Sequence, residues 1–328
     1  MTPNPPLLRA EPGSSPQSSA VERIFVGKDG LRAGWSLLTI AFLTSIIFVA
    51  ARIIVLKFFP NAPSAMPTGE QPSSIVVLRD SIPLLAILVA TWIMSKIERR
   101  PVSVYGLGGK NKFAHLCAGF ASGVICLSLL VLALWKTGLL AFDRRLLFGS
   151  AILLHGTSWL LAFLLIGLLE EYFTRGYIQY TLTRGLAGLY QSAFKTHHSQ
   201  ALGFWTSALI WSAVFGLSHT ENPGESPVGL FSVGLIALIF CLSLWRTGSL
   251  WWAIGFHTAW DWSQSFLYGV ADSGVMIQHH LLATHPAGNP ILSGGTTGPE
   301  GSIFILIILA LTTLIIFLTL PDARSGSL

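Results

Sequence analysis

The chain has 328 residues, of which 52% are hydrophobic and only 11% charged, against about 25% charged in a soluble globular protein. That shortfall, set in repeated long apolar runs, excludes a soluble domain and places the sequence among polytopic membrane proteins. The net charge of +5 is scattered, with no basic stripe interleaved with aromatics, so nucleic acid is not an expected partner.

The first twenty residues, MTPNPPLLRAEPGSSPQSSA, are rich in Pro and Ser and are expected to be disordered. They open a cytoplasmic tail over 1–33. No apolar core follows the first basic residue until about Gly34, so the tail is not a signal peptide, and the first span is expected to be retained as an anchor. Run lengths then predict about eight helical spans, at 35–56, 75–94, 113–135, within 151–186, and at 202–219, 228–244, 250–268 and 303–320. The expected fold class is therefore all-α, a transmembrane helix bundle over 34–320 with a short tail at 321–328.

Lys and Arg are concentrated in alternate loops. Arg23, Lys28 and Arg32 precede the first span, Lys96, Arg99, Arg100, Lys110 and Lys112 follow the second, Arg184 and Lys195 follow the fourth, and Arg246 follows the sixth. The loops 221–227 and 271–302 have none, while Lys136, Arg144 and Arg145 are an exception on a loop expected to face outward. The balance puts both termini in the cytoplasm.

Three polar groups interrupt the apolar runs. The first is LLEEYFTRGY, 168–177, where Glu170, Glu171 and Arg175 sit in an otherwise membrane-like stretch. Each such charge costs about 2.5–3.5 kcal/mol on insertion scales, so it is retained for a reason. Glu171 and Arg175 are four apart, acid before base, and share a helix face. Glu170 lies about 100° around the helix with no local partner, which suits a general base. An interhelical ion pair that only locks the bundle is the alternative. The second group is FGLSH, with Phe215 and His219 on one face at the end of the fifth span. The third is HTAWD, where a carboxylate four residues on, Asp261, reaches back to His257 and fixes its tautomer.

Ionisable groups inside a membrane face the bundle interior and find one another. One free carboxylate and two histidines, one with its own carboxylate, are the ingredients for activating water against a carbonyl. Depth is the difficulty. Counted from the cytoplasmic side at about 1.5 Å per residue, His257 is about 10 Å into its span and His219 nearly 30 Å into the fifth. The fifth helix must start below the membrane plane or tilt, or the TENPGESP loop must dip inward.

EEYFTR has the form EExxxR, FGLSH the form FxxxH and HTAWD the form HxxxN/D. In this order and on separate spans they resemble the CPBP family, the CAAX-protease and bacteriocin-processing intramembrane endopeptidases also called the Abi family. RTGSLWWAIGFH resembles the approach to the last motif in bacterial members, and the likeness covers about 151–268. It implies an intramembrane protease core there, with Glu170 activating water and His219, His257 and Asp261 assisting beside Glu171 and Arg175. It implies a membrane-associated or lipidated protein or peptide as substrate, and the plasma (inner) membrane of a bacterium as location. A proton- or ion-coupled transporter and a non-catalytic immunity protein on the same fold are the rival readings.

Metal chemistry is left open: zinc or another divalent metal would take Glu170, His219 and His257, which match a zinc ligand set in number. There is no HExxH, and with Glu171 paired to Arg175 a ligating Glu170 would leave no base, which favours Glu170 as base. The remaining polar residues get plainer readings. Cys117, Cys126 and Cys241 lie in apolar runs as small buried hydrophobes. His279, His280 and His285 are a loose cluster without ligand spacing. Trp245, Trp251 and Trp252 fit an interfacial aromatic belt, and Trp260 and Trp262 either line the cleft or pack.

Overall fold

The computed structural model describes residues 24–27, 30–58, 70–222 and 224–321. Most of the expected N-terminal tail and nearly all of 321–328 lie outside these residues. The end of the tail that is described forms a two-stranded turn, with β1 (Val26–Gly27) pairing antiparallel with β2 (Gly30–Leu31).

The apolar runs fold as helices because hydrocarbon offers their backbone groups no other hydrogen-bond partner. Six helices are long and apolar enough to cross a membrane. They are α1 (Ala33–Phe58), α2 (Ser73–Ile97), α3 (Lys112–Lys136), a 45-residue rod over Ser150–Phe194, and the helices Ser199–Glu221 and Pro227–Thr247. The rod comprises α4 (Ser150–Glu171), a π-helical turn (Tyr172–Ile178) and α5 (Gln179–Phe194). It is followed by α6 (Ser199–Ser218), α7 (Pro227–Thr247), α8 (Trp251–Asp261) running into a second π turn (Trp262–Leu267), and the shorter apolar α9 (Ile305–Thr319). The protein is an all-α polytopic helix bundle.

Its connections separate onto two ends, as an up-and-down path requires. At one end the long loop 271–302 gathers the others. Gln71 bridges Ile277, β3 (Leu140–Arg145) pairs antiparallel with β4 (Leu282–Pro286), and the hydroxyls of Thr296 and Thr297 donate to the Gly224 carbonyl at 2.8 and 3.0 Å. The loop of Arg144 and Arg145 thus joins the end that otherwise lacks basic loops. At the other end Ser36 donates to Glu98 at 2.6 Å, the Leu250 amide to the Gly106 carbonyl at 2.9 Å, and Arg246 to the Leu320 carbonyl at 2.7 Å.

The tightest seam lies between α3 and α8. A Cβ on Gly119 would meet the Trp252 carbonyl, one on Gly123 the Phe256 carbonyl, and one on Gly255 the Leu116 carbonyl. Small residues let the two backbones touch, the usual basis of helix association where lipid removes the hydrophobic drive. Trp252 and Phe256 then fill the core beside Leu127, Leu130 and Phe240. Two sequence readings are corrected here. Trp252 is fully buried rather than interfacial, because the glycine seam draws its face of α8 inward. Cys117 is exposed, on the outer face of α3.

The rod resolves the depth conflict. A straight helix of 45 residues measures about 68 Å, over twice a hydrocarbon layer of about 30 Å. Its sixteen-residue end, α5, packs against α6 and carries the start of α6 about 24 Å below Gln179. By contrast α8 starts level with Gly176, whose missing Cβ would touch the Tyr105 carbonyl and Leu250. Thus α6 climbs a full span to His219, while α8 needs only two turns to lift His257 to the same level.

Candidate active site

Glu170 and Glu171 close α4, Arg175 lies in the π turn behind them, His257 and Asp261 lie on α8, and His219 follows the last turn of α6. The π turn adds a residue to the helical repeat, a feature frequent at functional sites. It is pinned from α2 and the residue after it: Tyr172 donates to Thr91 at 2.9 Å and Tyr177 to Glu98 at 3.1 Å.

Glu171 is the centre of the arrangement. Its side chain is fully buried and its Oε1 lies 2.6 Å from Arg175 Nη1 and 2.9 Å from His257 Nδ1. Arg175 is held further by the Ala237 carbonyl, to which its Nε donates at 3.1 Å, and by the faces of Phe215 and Phe240 at 4.9 and 5.4 Å. The pairing with Arg175 expected from the spacing is present; the second contact, to His257, is not one that spacing could reveal. A carboxylate ionised beside a guanidinium only accepts, so Nδ1 of His257 carries hydrogen. Nε2 is then turned toward Glu170 Oε2 at 3.8 Å and Asp261 Oδ2 at 3.5 Å. Asp261 therefore meets His257 across the i, i+4 contact, but on Nε2, while Glu171 takes the hydrogen on Nδ1.

Glu170 is the accessible acid, with 33% of its side chain exposed against none of Glu171. His219 lines the same cavity, its Nδ1 donating to the Phe215 carbonyl at 2.9 Å. Among the described residues no hydrogen bond or ion pair joins it to the other five. The cavity measures about 500 Å³ and runs from Glu170, His257 and Asp261 past Phe163 and Trp260 to the loops at the 271–302 end. Trp262 packs instead, donating to the Gly156 carbonyl at 2.9 Å.

Sequence reasoning missed four polar residues of this wall. Arg79 and Asp80 form a bidentate pair on α2 at 2.8 Å. Asp272 and Glu300, the only acids of the 271–302 loop, fold into the cavity; their presence in a loop without Lys or Arg was the available signal. Burial and the neighbouring Asp261 push the Asp272 carboxyl well above the usual range. Burial, with Asp272 and Glu225 adding, raises Glu300 to about 8. Glu300 accepts from the Ser273 amide and hydroxyl at 2.5 and 2.9 Å. The three loop histidines part company: His279 stacks on His155 at 4.3 Å, His280 meets the Leu282 carbonyl and His285 meets Asp143. Among the described residues, no three His, Cys, Asp or Glu side chains converge as a metal site, so the trio of Glu170, His219 and His257 does not fit a metal in this geometry.

No curated protein and no solved structure matches the chain. Residues 153–263 match the family model described as type II CAAX prenyl endopeptidase, Rce1-like. That span runs from the second turn of α4 to just past Asp261 and so encloses every residue that the three motifs singled out. Over residues 153–263 the bundle is therefore similar to the Rce1-like type II CAAX prenyl endopeptidases, consistent with the CAAX protease family that its sequence resembles.

Proposed function

We propose that the protein is an intramembrane endopeptidase in which Glu170 is the general base, acting on membrane-associated or lipidated proteins. The observation that carries this reading is the unequal treatment of two adjacent carboxylates. Glu171 is consumed by Arg175 and His257, whereas Glu170 keeps an accessible carboxylate beside His257 Nε2. A water between Glu170 and Nε2 gives its proton to Glu170 as its oxygen attacks the peptide carbonyl. Nδ1 of His257 is taken by Glu171 and Nδ1 of His219 by the Phe215 carbonyl, so the charge developing on the carbonyl oxygen is met by a histidine when its Nε2 also carries hydrogen; where water is scarce each such donor counts more. Collapse of the tetrahedral species breaks the C–N bond, and Glu170 returns the proton to the departing amine. Asp261 holds His257 from the Nε2 side and Arg175 holds Glu171 in place.

The apolar walls of Phe163, Phe240 and Trp260 suit the side chains or lipid of a membrane-bound substrate. The cavity reaches the end opposite the basic loops. With both termini in the cytoplasm, as the Lys and Arg distribution argues, substrate enters from the far face of a bacterial inner membrane. Membrane proteomes of cells carrying the intact protein or Glu170→Ala test the reading. Proteins processed only in the presence of Glu170 are expected, and processing that survives Glu170→Ala overturns it in favour of a non-catalytic role.

A further inference from the structure

Lys136, Arg144 and Arg145 are the exception to the charge distribution, and the structure brings them to the end of the bundle whose other loops lack Lys and Arg. Lys136 closes α3, and Arg144 and Arg145 close β3. All three are exposed, and among the described residues none is paired with a carboxylate. The Lys136 ammonium stands 4.3 Å from the centre of the Trp135 ring and the Arg145 guanidinium 4.9 Å from that of Phe148. Arg145 also donates from Nε to the Leu147 carbonyl at 2.8 Å. Arg144 makes no side-chain hydrogen bond or ion pair among the described residues. Asp143, the one acid between α3 and α4, is taken by His285 at 3.0 Å.

The edge of the hydrocarbon passes through the same stretch. Leu132 and Trp135 are exposed on the last turns of α3, Leu153 and Leu154 on the first turns of α4, and Phe148 lies exposed between them. Exposed leucines on membrane-crossing helices face acyl chains, so the cations just beyond them stand at the depth of the headgroups, where tryptophan also collects. Cations on the far side from the other basic loops run against the usual bias and call for a local reason. We propose that Lys136, Arg144 and Arg145 form a docking surface for the phosphates of anionic phospholipid headgroups in the leaflet at this end. Ammonium and guanidinium donors not claimed by carboxylates match the acceptor oxygens of a phosphate, and the headgroup phosphate is the anion that a bilayer presents at this depth. Because β3 pairs with β4, the contact ties the 271–302 loop, which roofs the catalytic cavity, to the bilayer surface. The surface lies outside that cavity and does not depend on the protease reading.

The test uses the full-length protein in phosphatidylcholine bilayers that carry a trace of phosphatidylglycerol or phosphatidylcholine with a photoreactive headgroup, and the labelled peptides are mapped by mass spectrometry. In wild type the phosphatidylglycerol probe is expected to label residues 135–148 about tenfold more than the phosphatidylcholine probe, with the excess shrinking as salt is added. Arg144→Glu reverses a charge at an exposed position without a side-chain partner; it is expected to lose the excess while its melting temperature stays unchanged. Equal labelling of this stretch by the two probes, or an excess that survives Arg144→Glu, overturns the surface. Glycerol phosphate added at constant ionic strength is expected to leave the labelling in place, and displacement by it overturns the lipid as the source of the phosphate.

Discussion

Glu170→Gln and Glu171→Gln should both lower turnover, by different factors, and should differ in stability. In Glu171→Gln the amide oxygen still accepts one hydrogen bond, but the charge is gone and Arg175, 2% exposed, becomes an unpaired buried cation. Removing one partner of a buried pair costs about 3–5 kcal/mol. Arg175 keeps the Ala237 carbonyl and the two phenylalanine faces, which places the loss in the lower half of that range, about 3–4 kcal/mol. At about 2 °C per kcal/mol for a large domain, the melting temperature falls by about 6–8 °C. Glu170 makes no side-chain hydrogen bond among the described residues and is one-third exposed, so Glu170→Gln should melt within about 1 °C of wild type. Its turnover should fall by about 10²–10⁴, the contribution of a general base. Glu171→Gln should lose about 10–100-fold through the disordered His257 ring. Purified variants followed by peptide cleavage and by melting give both readouts. Equal melting shifts, or activity retained in Glu170→Gln, would refute the division of labour.

Asp261→Asn keeps an acceptor toward His257 Nε2 and should retain substantial activity, whereas Asp261→Leu should lose most of it; two equally dead variants in the cleavage assay would mean that charge, not orientation, is the role. Gly255→Val forces a side chain onto the Leu116 carbonyl and should cost at least the 1–3 kcal/mol typical of overpacking, read as lost yield of folded protein. Glu300 has its pKa raised by burial from 4.5 to about 8, so between those values the folded state holds a proton that the unfolded state has released. Stability should therefore fall as pH rises through that window and level off above about 8. Melting curves of Glu300→Gln should be flatter over the same range, and an unchanged slope would contradict the assignment. Chelator-treated protein should keep its activity with no stoichiometric zinc by elemental analysis; zinc lost and restored together with activity would place a metal at Glu170, His219 and His257.

Of the eight expected spans, six are helices long and apolar enough to cross a membrane, and these and the three motifs were legible because hydrocarbon permits so few alternatives: long apolar runs must be helices, and charges within them must converge. The Glu171–Arg175 pair followed from the helical repeat alone. The Glu171–His257 contact joins residues 86 apart and depends on how α4 rotates against α8, which no local pattern encodes. The same holds for Asp272 and Glu300, carried into the cavity by a loop whose course is set by strand pairing and by contacts to Gly224. The fate of Trp252 turned on glycines of another helix, invisible to a reading of α8 by itself. Relative depth stayed open because run lengths do not show where each helix starts, and of the three alternatives it is the low start of α6, set by the length of the rod, that the structure has.

The π turn between Glu171 and Gln179 also bears on how this chain can change by insertion and deletion. A π turn is a helix holding one residue more than its neighbours need. Excising one residue after Arg175 within the turn would let the rod close into an unbroken α-helix. Because the turn holds one residue more than an α-helix needs to cover the same arc, α5 would keep nearly its present face toward α6, and Glu170, Glu171 and Arg175, upstream of the cut, would stay in place. The same deletion in α4 or α5 turns everything beyond it by about 100°. A one-residue deletion should thus be tolerated better in the π turn than elsewhere in the rod, and sequences that share the three motifs can be sorted by whether they keep the extra residue.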